Sequence, residues 1–178
     1  MGGKLLIGHD NGRIVTTDLE GKNFTTHSIS HNDGEAWGLE VIPKQGTFLT
    51  CGDDNQFMEI SIRERKVLRA GKIWTKEMNG DKPYETKKIR STASTLCDFP
   101  PHQQGRSITY SSHHNHVAVS NNQGDIAIFD YNDFSKKITT LWAPREWCEV
   151  MCYSPDGKYF AAGGHDDTIY VFTVEEGK

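Results

Sequence analysis

Three histidines stand close together in the stretch SSHHNHVAV, at positions 113, 114 and 116. On a β-strand, His114 and His116 would face the same side, as a pair of metal ligands could. An internal alignment, described below, instead places His113 and His114 opposite Asp156 and Gly157, in a hairpin turn. No acidic or cysteine ligand follows at a useful spacing. We therefore expect an exposed polar turn and no bound metal.

Two pairs of carboxylates occur in the similar stretches GDDN and GHDD. A catalytic pair repeated along one chain would be unusual, whereas glycine and aspartate are the residues that a tight hairpin needs. We interpret Gly52, Asp54, Gly164 and Asp166 as structural turn residues. Nothing in the sequence matches a nucleophile elbow, a phosphate-binding loop or a metalloprotease helix. We therefore expect no enzymatic activity and no cofactor.

The composition narrows the class of protein further. The 178 residues are enough for one ordinary domain, and the net charge of −4 argues against a nucleic-acid binder driven by positive charge. No apolar run approaches the roughly 18 residues that a membrane span needs, and we recognise no secretory signal. The close cysteine pair, Cys148 and Cys152, has a spacing that suits zinc poorly. We expect reduced cysteines in a cytoplasmic chain.

The chain contains an internal repeat. The stretch from Val150 to Phe172 aligns without a gap on residues 107–129, which lie 43 positions earlier, and on residues 38–60, which lie 112 positions earlier. A fourth, partial copy, LLIGHDNGRIVTTDL, lies near the start of the chain. A period near 43, with short apolar strands and turns such as PDG and NNQG, is typical of β-propeller blades. Nearly continuous apolar strands indicate sheets that are covered on both faces.

The copies resemble WD repeats. Asp54 and Asp166 match the turn aspartate of that motif, and His31 matches the histidine that precedes the first strand. The closing Trp-Asp dipeptide is absent, and Gln123 replaces the turn aspartate in the third copy, so we do not expect one hydrogen-bond network in every blade. The fold class predicted is all-β: WD-repeat β-propeller blades of four-stranded antiparallel sheets, in an incomplete propeller.

We assign residues 1–178 to one partial propeller with repeats at about 4–26, 27–66, 67–135 and 136–178, the third carrying an insertion at 75–100. These repeats amount to about three and a half blades, whereas propellers usually close with about four to eight. The chain is thus either a fragment of a longer protein or a piece that completes a ring with a second copy. Self-association is compatible with both alternatives.

Two further stretches carry a narrower signal: AWGLEV followed by FLTCGDD is the more specific, and YSPDGKYFAAGGHDDTIYVFTV supports it. Both resemble the echinoderm microtubule-associated protein-like proteins. The resemblance covers most of residues 5–175. It implies a piece of a tandem pair of propellers that binds tubulin and microtubules, and hence a place at the cytoskeleton.

The charge is uneven around the insertion. Residues 63–90 hold ten lysines or arginines against four acidic residues. One interpretation is a solvated loop beside an edge strand that carries ordinary lysines. The other is a basic patch for an acidic surface such as tubulin. Its candidate residues are Lys72, Lys76, Lys82, Lys87, Lys88 and Arg90.

Two functions remain open. The first is a non-catalytic interaction scaffold whose basic residues steer it toward tubulin, with binding that weakens as salt rises. The second is a general WD-repeat adaptor in a ciliary or signalling complex, without direct contact with tubulin. It would bind through aromatic anchors, for which Trp74, Tyr84 and Trp142 are candidates. We expect no nucleic-acid or membrane partner for either.

Overall fold

The structure is a computed structural model that describes residues 3–9, 13–29, 31, 35–74, 104–142, 144 and 146–175. Within these ranges every regular element is a β-strand. The strands are β1 (Lys4–Gly8), β2 (Arg13–Asp18), β3 (Thr25–Ile29), β4 (Ala36–Ile42), β5 (Thr47–Gly52), β6 (Gln56–Ser61), β7 (Val67–Lys72), β8 (Gly105–Ser111), β9 (His116–Asn121), β10 (Ile126–Asp130), β11 (Asp133–Leu141), β12 (Cys148–Tyr153), β13 (Tyr159–Gly164) and β14 (Ile169–Thr173). The predicted insertion at 75–100 lies outside the described residues.

The strands form four separate antiparallel sheets. Blade 2 is β4-β5-β6-β7 and blade 3 is β8-β9-β10-β11, with four strands each. Blade 1 is β1-β2-β3 and blade 4 is β12-β13-β14, with three described strands each. The sheets of the described chain do not close into a ring. The prediction of an all-β, incomplete propeller is therefore confirmed, whereas the repeat boundaries stay a prediction.

Apolar side chains fill the spaces between neighbouring blades. Between blades 2 and 3, the rings of Phe57 and Phe129 lie 4.6 Å apart, and those of Phe57 and Phe134 lie 4.8 Å apart. Phe160 is the largest buried side chain between blades 3 and 4, and Phe48 is the largest between blades 1 and 2. Every residue of β5 is buried, because both faces of its sheet are covered.

The two ends of the sheets form two faces of the molecule. The inner strands of blades 2, 3 and 4, namely β4, β8 and β12, pack side by side. We call the end at which these strands begin the upper face. It also carries the turns that follow β5, β9 and β13 and the ends of β7 and β11. The opposite end is the lower face, where the turn at 43–46 lies.

The outer side of blade 4 is apolar and uncovered by any described residue. Val150 is 63% exposed, Ile169 is 79% exposed and Val171 is 65% exposed. These residues alternate along their strands with Met151 and Phe172, which pack toward blade 3. An uncovered apolar face of this kind agrees with an incomplete propeller. Within the described ranges, no helix has the length and apolar character that a membrane span requires.

Candidate interaction surface

Blade 2 holds a buried hydrogen-bond network at its upper turn. His31 is 1% exposed, and its Nδ1 donates to Oδ1 of Asp54 at 2.7 Å. His31 Nε2 lies 3.3 Å from the hydroxyl of Thr50, and Asp54 also accepts from the backbone N–H of Gln56 at 3.2 Å. The network ties the segment before β4 to the β5–β6 turn. Its role is to hold this turn in place.

The equivalent turns of blades 3 and 4 are built differently. In blade 4, Oδ2 of Asp166 accepts a hydrogen bond from the hydroxyl of Tyr170 at 2.8 Å. In blade 3, Oδ1 of Asn121 accepts from the backbone N–H groups of Gln123 at 2.8 Å and Asp125 at 3.0 Å. The contacts described in these two turns therefore involve different side chains from those in blade 2.

Gly52 and Gly164 lie where β5 and β13 end, immediately before these turns. Neither has a positive φ; the left-handed conformation falls instead on Asn55, with φ 61°, and on Asp167, with φ 57°. A Cβ on Gly164 would lie 1.8 Å from the carbonyl oxygen of Trp147, and one on Gly52 would lie 2.4 Å from that of Glu35. Glycine is therefore needed at both positions because the inner strand passes too close for a side chain. Sequence analysis had assigned the two glycines to turns, without distinguishing this close approach from conformational freedom.

The histidine cluster joins two blades at the lower face. His113 and His114 lie in the turn between β8 and β9. The Nε2 atom of His113 lies 2.8 Å from the carbonyl oxygen of Pro155, and that of His114 lies 2.7 Å from the carbonyl oxygen of Gly157. Both contacts are typical of turn-to-turn packing. In the part of the chain that the structure describes, no three His, Cys, Asp or Glu side chains are grouped as a metal site requires.

A buried ionic cluster connects blades 2 and 3. Glu59 is 3% exposed, and its Oε2 lies 2.6 Å from a guanidinium nitrogen of Arg69. Its Oε1 accepts hydrogen bonds from the hydroxyls of Thr47 at 2.7 Å and Tyr131 at 2.5 Å. Burial, followed by the nearby Glu59 carboxylate, raises the pKa of Tyr131 to about 12. The cluster therefore holds a neutral phenol against a carboxylate that is fully hydrogen-bonded.

The upper face carries a stack of aromatic and charged side chains. The guanidinium carbon of Arg106 lies 4.0 Å from the ring centroid of Trp37 and 4.5 Å from that of Trp147. Arg106 also donates from Nε to Oδ1 of Asn122. The indole N–H of Trp37 donates to Oδ1 of Asp53 at 3.1 Å. The stack spans the beginnings of three inner strands, so it links blades 2, 3 and 4.

Sequence reasoning missed this stack, although the repeat held a signal for it. Trp37 and Arg106 are 69 positions apart, the offset at which the second copy aligns with the third. They therefore occupy equivalent positions on two neighbouring inner strands, β4 and β8.

Burial raises the pKa of Asp53, while the backbone N–H of Glu35 and the charge of Arg106 lower it. The described side chains of this stack do not pair a nucleophile with a base.

The predicted basic patch is only partly described. Lys72 is exposed at the upper end of β7, whereas Lys76, Lys82, Lys87, Lys88 and Arg90 lie outside the described residues. Arg63 and Arg65 lie in the β6–β7 turn, at the opposite end of β7 from Lys72. The guanidinium of Arg69 forms an ion pair with the carboxylate of Glu59. The described part of residues 63–90 therefore does not form one patch, and the proposed patch depends on Lys72 with the residues of the insertion.

The described cysteines are free thiols. Cys51 and Cys148 are buried, and burial raises the pKa of their thiols to about 12 and about 11 respectively. Thiols with raised pKa are weak nucleophiles at neutral pH. Cys152 is exposed. Cys97 lies outside the described residues.

Comparison with known proteins agrees with this architecture. The family model "WD domain, G-beta repeat" matches residues 135–173. A chain in the crystal structure of the mitotic checkpoint complex superposes with a TM-score of 0.68 at 9% identity, covering 96% of this chain and 44% of that chain. At that identity the likeness concerns the fold alone. The fold of the described chain is therefore that of WD-repeat β-propeller blades in an incomplete propeller.

The chain also resembles a narrower set of relatives. The chain is 37% identical over 174 residues to the ciliary WD repeat-containing protein ctxp80 of Euplotoides octocarinatus, covering 97% of this chain and 23% of that protein. It is 30% identical to echinoderm microtubule-associated protein-like 3 of Homo sapiens, covering 98% of this chain and 16% of that protein. It is 27% identical to the 77 kDa echinoderm microtubule-associated protein of Lytechinus variegatus, covering 98% of this chain and 22% of that protein. The resemblance to this family is confirmed, and the chain spans about a fifth of the length of these relatives.

Proposed function

We propose that this chain is part of a non-catalytic protein-interaction scaffold, in a microtubule-associated WD-repeat protein that binds tubulin or microtubules. The observation that carries the proposal is the similarity over 97–98% of the chain to proteins named as ciliary and as microtubule-associated. On a rigid scaffold such as a propeller, the residues that bind partners lie mostly on the loops that the blades position. The proposed location is the cytoplasm, at the cytoskeleton.

The mechanism is rigid presentation of charged loops. The blades are joined by buried apolar clusters and by the Glu59–Arg69–Tyr131 contacts, so the turns keep fixed positions relative to each other. Lys72, at the upper end of β7, is the first residue of the proposed basic patch. The other members proposed are Lys76, Lys82, Lys87, Lys88 and Arg90. Basic residues steer a protein toward an acidic surface such as tubulin, with a strength that falls as salt screens the charges.

A second candidate function is a ciliary or signalling adaptor without direct contact with tubulin. The similarity to a ciliary WD repeat-containing protein favours it. Its proposed anchors are Trp74, Tyr84 and Trp142, because buried aromatic side chains dominate many protein interfaces. Trp142 is 65% exposed, Trp74 is partly buried, and Tyr84 lies outside the described residues.

Co-sedimentation with stabilised microtubules separates the two functions. A charge-reversal variant changes Lys72, Lys76, Lys82, Lys87, Lys88 and Arg90 to Glu, and a matched control variant changes Trp142→Ala. The tubulin function predicts that charge reversal abolishes pelleting and that Trp142→Ala retains it. Absence of pelleting by the folded wild-type chain would favour the adaptor. Sedimentation velocity of the same samples measures self-association, which stays a prediction.

A further inference from the structure

We propose that the lower face carries a binding site for a small neutral phenol, in a cavity between blades 3 and 4. The cavity has a volume of about 190 Å³. It lies where β9 begins and β14 ends. Side chains of both blades line it, among them His116, Ile128, Thr139, Tyr153, Phe172 and Val174. The site is separate from the basic residues of the proposed function, and its ligand is a small molecule and not a protein.

The cavity occupies the place that the Glu59–Arg69–Tyr131 cluster has between blades 2 and 3, one blade further along the chain. The offset of 69 residues that aligns the second copy with the third pairs Glu59 with Ile128. In the ladder of blade 2, Arg69 lies opposite Glu59. In the ladder of blade 3, Thr139 lies opposite Ile128. Two smaller, uncharged side chains thus replace a carboxylate and a guanidinium, which favours a neutral ligand.

The tyrosine of the cluster is also replaced by a smaller residue. The offset of 43 residues that relates blades 3 and 4 pairs Tyr131 with Val174. The backbone supports this equivalence. The N–H of Tyr131 donates to the carbonyl oxygen of Asn115, and the N–H of Val174 donates to that of Lys158, both at 2.8 Å. An isopropyl group in place of an aromatic ring leaves room that no described side chain fills.

The ring of Tyr131 indicates which ligand fits the vacant place. It lies 4.7 Å from the ring of Tyr110, whose equivalent in blade 4 is Tyr153. A planar ring bound where Val174 leaves room would therefore pack against Tyr153, and aromatic pairs at such distances attract each other. The volume of about 190 Å³ is sufficient, since an apolar cavity of about 150 Å³ can bind benzene.

The polar end of the ligand follows from the same comparison. The hydroxyls of Tyr131 and Thr47 both donate to Oε1 of Glu59, at 2.5 Å and 2.7 Å. Blade 3 has no carboxylate at the place of Glu59, but His116 stands at the place of Thr47, 69 positions later. Burial lowers the pKa of His116, so its imidazole is neutral at pH 7 and has a nitrogen that can accept a hydrogen bond. A ligand hydroxyl directed like that of Tyr131 would donate to this nitrogen.

The test is an NMR titration of the full 178-residue chain that follows the backbone amide signals. The probe is p-cresol, and toluene is its matched control because the two molecules differ only in the hydroxyl. We expect saturable binding of p-cresol, with an affinity about fivefold higher than that of toluene, as one added hydrogen bond would give. The peptide N-acetyl-Gly-Tyr-Gly amide presents the same phenol as part of a protein chain, and it should bind more weakly than p-cresol.

Two variants and a control locate the ligand. Val174→Tyr supplies the ring that lies between blades 2 and 3, so it should abolish p-cresol binding. Val171→Tyr is the matched control, since Val171 is 65% exposed on the uncovered side of blade 4, and it should leave the affinity unchanged. His116→Leu should lower the affinity for p-cresol to that for toluene and leave toluene binding unchanged, which a general loss of structure would not do. Circular dichroism confirms that each variant is folded before it is titrated.

Any of three results would overturn the proposal: no saturable binding of p-cresol, equal affinities of the wild-type chain for p-cresol and toluene, or a folded Val174→Tyr variant that still binds. Tighter binding of the peptide than of p-cresol would also overturn it, in favour of a tyrosine from a partner protein. If Val174→Tyr does not fold, the effect of His116→Leu on the two ligands decides. Microtubule binding should be the same in the folded variants, because none of them changes the basic patch.

Discussion

The hydroxyl of Tyr131 lies 2.5 Å from Oε1 of Glu59, in a contact that joins the end of β10 in blade 3 to β6 in blade 2. Arg69 completes the arrangement, since its guanidinium pairs with Glu59 and stacks on Tyr131 and Phe134 at 4.3 and 4.1 Å. Blades 2 and 3 are therefore joined by a buried charge as well as by apolar packing.

Arg69→Met should lower the free energy of unfolding by about 3 kcal/mol, because it leaves the Glu59 carboxylate buried without its cation. Urea denaturation measures the change. Lys66→Met is the matched control, since Lys66 is exposed and pairs with exposed Glu64, and it should change stability by less than about 0.5 kcal/mol. Equal effects of the two substitutions would show that the cluster contributes nothing.

Asp54→Ala should destabilise the protein by about 2–3 kcal/mol, because buried His31 and the N–H of Gln56 lose their acceptor. Asp166→Ala removes an aspartate at the equivalent position of blade 4, where its Tyr170 partner is only partly buried. It should cost about 1 kcal/mol or less. Thermal unfolding of both variants provides the comparison, and a larger loss at Asp166 would contradict the ranking.

Gly164→Ala should be strongly destabilising, because the added Cβ would lie 1.8 Å from the carbonyl oxygen of Trp147. Overpacking of this kind costs about 1–3 kcal/mol or more. The neighbouring Gly163 is a stringent control, since among the described residues the nearest atom to its added Cβ would be Cγ1 of Val150 at 3.6 Å. Gly163→Ala should therefore fold with nearly unchanged stability. Similar melting temperatures for the two variants would refute the close approach.

Asp125→Asn should stabilise the protein at pH 7 and have little effect at pH 4. Burial raises the pKa of Asp125 to about 6, with the charge of Lys137 acting in the opposite direction. The folded state thus binds the proton more tightly than the unfolded chain, so Asp125 makes stability fall as pH rises from about 4 to about 6, by up to about 3 kcal/mol. Urea denaturation at the two pH values tests this, and a stability difference that does not change with pH would contradict it.

The internal repeat made the blades predictable, because alternation and turn residues recur at a fixed offset. The alignment also placed His113 and His114 in a turn, where the structure has them. Arg106 was not predicted as part of a stack, since one sequence does not show that equivalent positions on neighbouring inner strands come into contact. Gly164 was assigned to a turn for conformational freedom. The carbonyl oxygen that excludes a side chain there belongs to Trp147, which lies immediately before a different strand, β12.

The Glu59–Arg69–Tyr131 cluster was missed for a related reason. Arg69 was counted among the basic residues of 63–90, and its pairing with a carboxylate on β6 depends on strand register. Tyr131 lies 72 residues from Glu59 in the sequence. Charge counted along a segment therefore overestimates the charge that is available to a partner.

The most direct test of the central claim is the salt dependence of microtubule binding by the wild-type chain. The dissociation constant should be measured by co-sedimentation at several salt concentrations, with sedimentation velocity to establish the state of the protein. Our account predicts saturable binding that weakens steeply as salt rises, since basic residues contact an acidic surface. No binding by the folded chain, or binding that is indifferent to salt, would contradict it.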